Sequence, residues 1–262
     1  MKAFLFFGFI FTFSIALMSQ PKSQSRLVFP EGEQVTYLAH YGFINAGEAR
    51  ISLDKNATQI DGKTCHKVAV EGRTTGVFRL GMRVDDLWQS YIDARTGLPQ
   101  QFFRDIKENK YTKVETVQFD QQHGKAHVRH TTKNRPEKQA TYDMLPQSQD
   151  MISGYYYLRG LNFDAYQAGD TLTIPAFFED KPYHFQLRYL GRERVRTKIG
   201  TYDALVMAPL MPASSIFDGQ DAIKFWISDD QYRIPLKIRA NMFIGAVQVE
   251  VTEYKNQYIH LK

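Results

Sequence analysis

From Val35 the apolar side chains fall at every second position, Val35, Tyr37, Ala39, Tyr41 and Phe43, and after Asn45-Ala46-Gly47 the same rhythm resumes at Ala49, Ile51 and Leu53. Successive side chains of a strand point to opposite faces, so a period of two means strands with one buried face. The stretch from Gly32 to Leu53 therefore predicts a β-hairpin, with its turn at Asn45-Ala46-Gly47 and with Phe43 on the buried side. Its opening, Gly32-Glu33-Gln34-Val35-Thr36-Tyr37, has a shortened echo at Gly169-Asp170-Thr171-Leu172-Thr173-Ile174, 137 residues later.

The same pattern continues through most of the chain. After a polar loop over residues 54–63, strands are expected at Cys65–Val70, Leu87–Asp93, Gln101–Ile106, Tyr111–Phe119 and Lys125–Thr131. Arg95-Thr96-Gly97-Leu98-Pro99 and Gln121-Gln122-His123-Gly124 supply the turn residues between them. Residues 74–81 form a less regular apolar segment. A second run of strands follows Gly169, at Tyr183–Tyr189, Tyr202–Ala208, Ile223–Ser228, Arg233–Ala240 and Gly245–Tyr254. One stretch breaks the period. Asp150 is placed to cap a helix whose apolar positions, Met151, Ile152, Tyr155, Leu158 and Leu161, recur at helical spacing, with Tyr156, Tyr157 and Arg159 on its other faces. These elements predict an all-β, mainly antiparallel fold: a curved sheet or an open or closed barrel that hides its edges, with one packed helix.

Residues 1–19 carry one charge, Lys2, ahead of an apolar run that ends at Ser19, and so read as a secretory signal peptide, with a retained anchor as the rival. Residues 20–30 read as a linker and 31–262 as one β-rich domain. The only cysteine, Cys65, has no partner for an internal disulfide, so packing must hold the fold. A net charge of +5, or +4 without Lys2, is too diffuse to predict nucleic acid as a partner.

Four landmarks pair between the halves at nearly constant spacing: Gly32 with Gly169, Gly62 with Gly200, Trp88 with Trp226, and Pro99 with Pro235. Two readings stay open: a duplication with pseudo-repeats over 31–145 and 165–262, or the chance recurrence of Gly, Trp and Pro in a β-protein.

Gly32-Glu33-x-Val35-x-Tyr37, Tyr41-Gly42-Phe43-Ile44-x-Ala46-Gly47-Glu48-Ala49 and Trp226-Ile227-Ser228-Asp229-Asp230-x-x-Arg233-Ile234-Pro235-Leu236, followed by Gly245, closely resemble the bacterial periplasmic family known as domain of unknown function 3108. The resemblance covers about residues 30–254. It implies a secreted antiparallel β-structure, an open or closed barrel somewhat similar to periplasmic lipoprotein carriers. It supplies no catalytic residues.

Few side chains suggest chemistry. His123, His127 and His130 lie close in sequence, but on a strand His127 and His130 point to opposite faces, so no metal site is expected. Cys65 and His66 are excluded as a dyad on the same ground, and Cys65 is expected to be a buried apolar residue. Ser52-x-x-Lys55 lies where a strand enters a loop, and Asp85-Asp86 and Asp229-Asp230 are expected at turns, bonding to backbone. No catalytic residue and no cofactor is predicted.

Two features point towards binding. Aromatic residues are 14% of the chain, and a ligand site is expected at the mouth of the curved sheet, bordered by Trp88, Tyr156, Arg159 and Trp226, with Arg159 orienting an acidic head group. Arg192, Arg194, Arg196 and Lys198 put four cations on one face of one strand. The chain thus reads as an exported, non-enzymatic periplasmic protein that binds a hydrophobic or amphipathic ligand, such as a lipid, in envelope transport or assembly. The alternatives are a structural or interaction module with an envelope protein partner, and then a hydrolase.

Overall fold

The computed structural model describes residues 29–210, 221–256 and 260–261. The expected signal peptide and most of the expected linker lie outside them. Strands β1 (Gln34–Tyr41), β2 (Ile44–Leu53), β3 (Thr58–Ile60), β4 (Lys63–Thr74), β5 (Asp85–Asp93), β6 (Pro99–Glu108), β7 (Tyr111–Asp120), β8 (Lys125–Thr132) and β9 (Lys138–Asp143) come first, with a short helix α1 (Phe78–Gly81) between β4 and β5. Helix α2 (Met151–Arg159) and a 3-10 turn (Phe163–Ala165) follow. Then come β10 (Thr171–Phe178), β11 (Lys181–Thr197), β12 (Gly200–Pro209), β13 (Ile223–Ser228), β14 (Pro235–Asn241), β15 (Ala246–Lys255) and β16 (His260–Leu261).

All sixteen strands among the described residues belong to one sheet. Its path runs β10-β11-β12-β13-β14-β15-β1-β2-β4-β5-β6-β7-β8-β9, with β16 on β15 and β3 on β4. The chain therefore makes two meanders, and the last long strand of the second, β15, is zipped antiparallel to the first strand of the first, β1, from Gln34↔Lys255 to Tyr41↔Val247. The four landmark pairs sit at matching places in the two meanders: Trp88 in β5 and Trp226 in β13, Pro99 and Pro235 opening β6 and β14. Proline suits a strand's first residue because it has no N–H to give the ladder.

The sheet is not closed. Its end strands β9 and β10 do not pair with each other, and the edge of β10 is instead covered by residue 149, where Gln149 N donates to Pro175 O and Phe177 N donates to Gln149 O, both at 2.9 Å. The curl is held from inside. Phe177 of β10 packs with Phe102, Val117, Phe119 and Ile152 in a cluster built mainly by β4–β8. Leu158 joins a second cluster with Phe163, Leu172, Leu187, Leu205 and Ile227, so α2 bridges the interiors of both meanders.

Three local expectations are corrected. The first hairpin turns earlier, at residues 42–43, because Gly42 takes φ +58 there, and Phe43 is left at the exposed tip (97% exposed) rather than on the buried face. On α2, Met151 is exposed, while Tyr156 and Arg159 face inward. Asp150 caps as expected: its Oδ1 accepts from Ile152 N and Ser153 N at 2.8 Å, and Ser153 Oγ accepts from Asp150 N in return. Residues 58–60 and 138–143, which show too little alternation to be expected as strands, pair along their neighbours β4 and β8.

Candidate functional site

The four residues expected to border a ligand are placed as follows. Arg159 is buried and clamped: Nη1 donates to Glu33 Oε2 at 2.5 Å, and Nη2 donates to Glu33 Oε1 at 2.8 Å and to Tyr232 O at 2.5 Å. Burial works against its charge, and the tyrosines and the Glu33 carboxylate around it more than offset that, so its pKa stands above the ordinary arginine value. Tyr156 donates to the same Glu33 at 3.3 Å, and burial raises its pKa. Trp226 is in the β1/β12/β15 cluster and donates from Nε1 to Glu193. Trp88 lies on the other meander, edge-on to Phe102 and stacked with Phe178. The structure brings Tyr156 and Arg159 together and leaves the two tryptophans in separate clusters.

The remaining candidates resolve simply. Cys65 is buried and its thiol is pushed up to about 11, first by burial and then by Asp93. Its neighbour His66 stacks on Phe29 at 4.3 Å, so the end of the expected linker is already packed. His123 pairs with Asp120, and His127 bonds Thr141. Among the described residues no three His, Cys, Asp or Glu side chains are grouped to hold a metal ion. Asp230 accepts from Tyr232 N and Arg233 N as a turn residue should, whereas Asp85 and Asp86 lie in strand β5 rather than in a turn, with Asp86 accepting from Lys107 N of β6. Asp85 and Asp229 instead hold arginines: Asp85 is held down at about 2 by Arg79 and Arg83, and Asp229 bonds Arg192 and Arg233. The basic stripe is partly neutralised, since Arg192 also meets Asp164 and Arg194 faces Asp203 at 3.5 Å.

A different constellation occupies the seam between the sheet's two ends. Strand register lines up Arg104↔Glu115 on β6/β7, Glu115↔His130 on β7/β8 and His130↔Lys138 on β8/β9, a row of charged and titratable side chains on the inner face. One step along, Phe102↔Val117, Val117↔Val128 and Val128↔Ala140 make an apolar row, and Phe119↔Ala126 and Ala126↔Tyr142 make another. Arg104 is fully buried. Its Nε lies 2.7 Å from Glu115 Oε1 and its Nη1 2.6 Å from Glu179 Oε1, while Lys113 Nζ is 2.5 Å from Glu115 Oε2. Glu179 sits in the β10–β11 turn, so this ion cluster ties one end of the sheet to the inner face of the other. Trp88 and Phe178 flank the Arg104 guanidinium at 5.8 and 5.2 Å.

Beyond that cluster the rows run out into the open. A cavity of about 240 Å³ is lined by Val128, His130, Lys138, Gln139, Ala140 and Tyr142. Arg104, Glu115, Phe102 and Val117 on these rows are buried, whereas Lys138 and Ala140 are exposed on β9, beyond which no strand among the described residues is hydrogen-bonded. Sequence reasoning missed this site. The available signal was parity: Arg104 on β6, and Lys113 and Glu115 on β7, hold the alternate positions that Phe102, Ile106, Val117 and Phe119 mark as inward.

The family model for a protein of unknown function, DUF3108, matches residues 36–252. The chain belongs to the DUF3108 family. No curated protein matches it. Among solved structures, this DUF3108 chain is similar to the β-barrel-like DUF1849 protein of Brucella abortus, at 12% identity and TM-score 0.53 over 89% of this chain and 99% of that one; that likeness shows the fold alone. It also matches an exported-protein candidate with a YmcC-like fold from Bacteroides fragilis (9% identity, TM-score 0.37, 87% and 98% covered) and a lipoprotein candidate from Parabacteroides distasonis (11%, 0.34, 90% and 97%).

Proposed function

We propose that this DUF3108 protein is an exported, non-enzymatic periplasmic protein of the cell envelope that holds one apolar or amphipathic chain at the seam of its open sheet. The observation that carries the reading is the amphipathic pairing at the cavity: Val128, Ala140 and Tyr142 form an apolar floor, and Lys138 stands beside it at the end of the polar row. A volume of about 240 Å³ is below the range of roughly 300–1,000 Å³ usual for enclosed small-molecule sites. That suits a single tail lying along the seam with its anionic head at Lys138, rather than a whole lipid. The buried Arg159, committed to Glu33 and Tyr232, has no part in this reading.

The test uses native mass spectrometry of the gently purified chain and titration with dodecanoate. Co-purifying amphiphile and saturable dodecanoate binding are expected in the parent. Ala140→Trp, which fills the cavity, should abolish both without lowering thermal stability, and Lys138→Glu should weaken dodecanoate binding. An adduct-free parent that ignores dodecanoate, or an Ala140→Trp variant that binds as well as the parent, overturns the proposal.

A second reading is favoured by the outer edge of β9 beside the same cavity, which no strand among the described residues pairs with. An added strand from a partner protein would find backbone donors there and a pocket for one side chain.

A further inference from the structure

Six large apolar side chains stand exposed at one end of the sheet, on three connections that are neighbours in it. Phe43 and Ile44 are at the β1–β2 turn, Val77 and Leu80 in the β4–β5 connection, and Phe243 and Ile244 at the β14–β15 turn; Phe43, Leu80 and Ile244 are 97, 90 and 80% exposed. Hydrogen bonds fix these connections side by side. Tyr41 Oη donates to Ile244 O at 2.7 Å, Gly42 N donates to Ala246 O at 3.4 Å, and Thr75 N donates to Ala46 O at 3.0 Å. The tips are built rather than loose: Gly245 at φ +73 leaves room for Tyr41, whose hydroxyl oxygen a Cβ would meet at 2.7 Å and whose ring at 2.9 Å.

The rim continues into basic turns. Asn109 N donates to Arg83 O at 2.7 Å, joining the β6–β7 turn to the β4–β5 connection, and Lys133 N donates to Thr112 O at 3.3 Å, joining the β8–β9 turn to β7. Residues 42–43, 75–84, 109–110, 133–137 and 242–245 contain the cations Arg79, Arg83, Lys110, Lys133 and Arg135 against one acid, Glu137, which lies 3.9 Å from Arg129 on β8. Arg79 and Arg83 are held by Asp85 at the foot of β5, whereas Lys110, Lys133 and Arg135 project from exposed turns.

From this arrangement we infer that the rim docks the protein on an anionic lipid surface, with the three apolar tips entering the headgroup region and the basic turns lying against the phosphates. Separate apolar apices flanked by cations match a fluid, negatively charged interface. A folded protein partner would need a matching pocket for each apex. The inference is independent of the seam cavity, which uses other residues.

Flotation with vesicles of phosphatidylglycerol and phosphatidylethanolamine, against vesicles of phosphatidylcholine alone, tests it on the whole chain. The parent is expected to float with the anionic vesicles, less so as salt is added. Phe43→Ser/Leu80→Ser/Phe243→Ser should bind them roughly tenfold or more weakly, and so should Lys110→Glu/Lys133→Glu/Arg135→Glu. Both variants should unfold at the parent temperature, since all six positions are exposed. A parent that stays in solution overturns the inference. So does a tip variant that floats as well as the parent, because uptake through the apolar run near the N-terminus, which both share, leaves them equal. A tip variant that changes only the oligomeric mass, with no vesicle binding in the parent, overturns it in favour of a protein contact.

Discussion

Replacing either member of the Glu33–Arg159 pair separates a structural clamp from a ligand-binding arginine. Both side chains are almost wholly buried, Glu33 at 1% and Arg159 at 2% exposure, so solvent does not screen the pair. Glu33→Gln leaves a guanidinium without a counter-charge, and Arg159→Met leaves a buried carboxylate. Either should cost about 3–5 kcal/mol, the usual result of orphaning one partner of a buried ion pair. In a domain of this size that is a fall of roughly 6–20 °C in Tm. The pair joins the segment before β1 to α2 and to the β13–β14 turn at Tyr232, so the loss is global. The double variant Glu33→Gln/Arg159→Met should cost less than the sum of the singles by about 2 kcal/mol, because neither charge is then orphaned. Urea unfolding followed by the fluorescence of Trp88 and Trp226 measures all four forms. Strictly additive singles, or an Arg159→Met protein as stable as the parent that has lost amphiphile binding, would refute the clamp and return Arg159 to the ligand site.

Asp150 makes stability depend on pH. Burial raises its pKa from about 3.8 to about 6, against the pull of Ser90 and the helix N–H groups. The folded state then holds a proton that the unfolded state has released, so this group's contribution falls as pH rises from about 4 to about 6, by about 3 kcal/mol. Asp150→Asn keeps the cap and can donate to Ser90 Oγ. It should flatten that part of the stability profile and be at least as stable as the parent at pH 7, and an unchanged profile would exclude a buried, proton-holding Asp150. Cys65, with no exposure and its thiol near 11, should resist a thiol reagent at pH 8 until urea unfolds the chain; stoichiometric labelling of the native protein would contradict its burial. Trp226→Ala should cost about 3–5 kcal/mol, since the ring is packed in the β1/β12/β15 cluster; a loss below 1 kcal/mol would show that the ring is not part of the core.

The candidate site was legible only in pieces. Tyr156 and Arg159 are three residues apart on one helix and meet the same Glu33, but their direction was not readable: the apolar spacing points Met151 inward, whereas packing exposes Met151 and buries Tyr156 and Arg159. Glu33 could not be matched with Arg159, since 126 residues separate them and neither lies in a charge pattern of its own. The tryptophans are expected at one rim as large rings that supply apolar wall. The sheet path instead puts the β13 and β5 rings several strands apart.

What the sequence alone determined is the local part: strands of period two, turns at glycine and proline, a capped helix at Asp150, a buried lone cysteine, and membership of the DUF3108 family. These depend on backbone preferences and on which side of a strand is apolar, and both are written within a few residues. The tertiary structure decided the β15–β1 pairing that makes one sheet of two meanders, and the seam where Glu179 of the β10–β11 turn meets Arg104 on the inner face of β6. In each case the deciding contact joins residues distant in sequence. Alternation says only that a strand has a buried face, and the fold chooses which strand, which charge or which empty space that face meets.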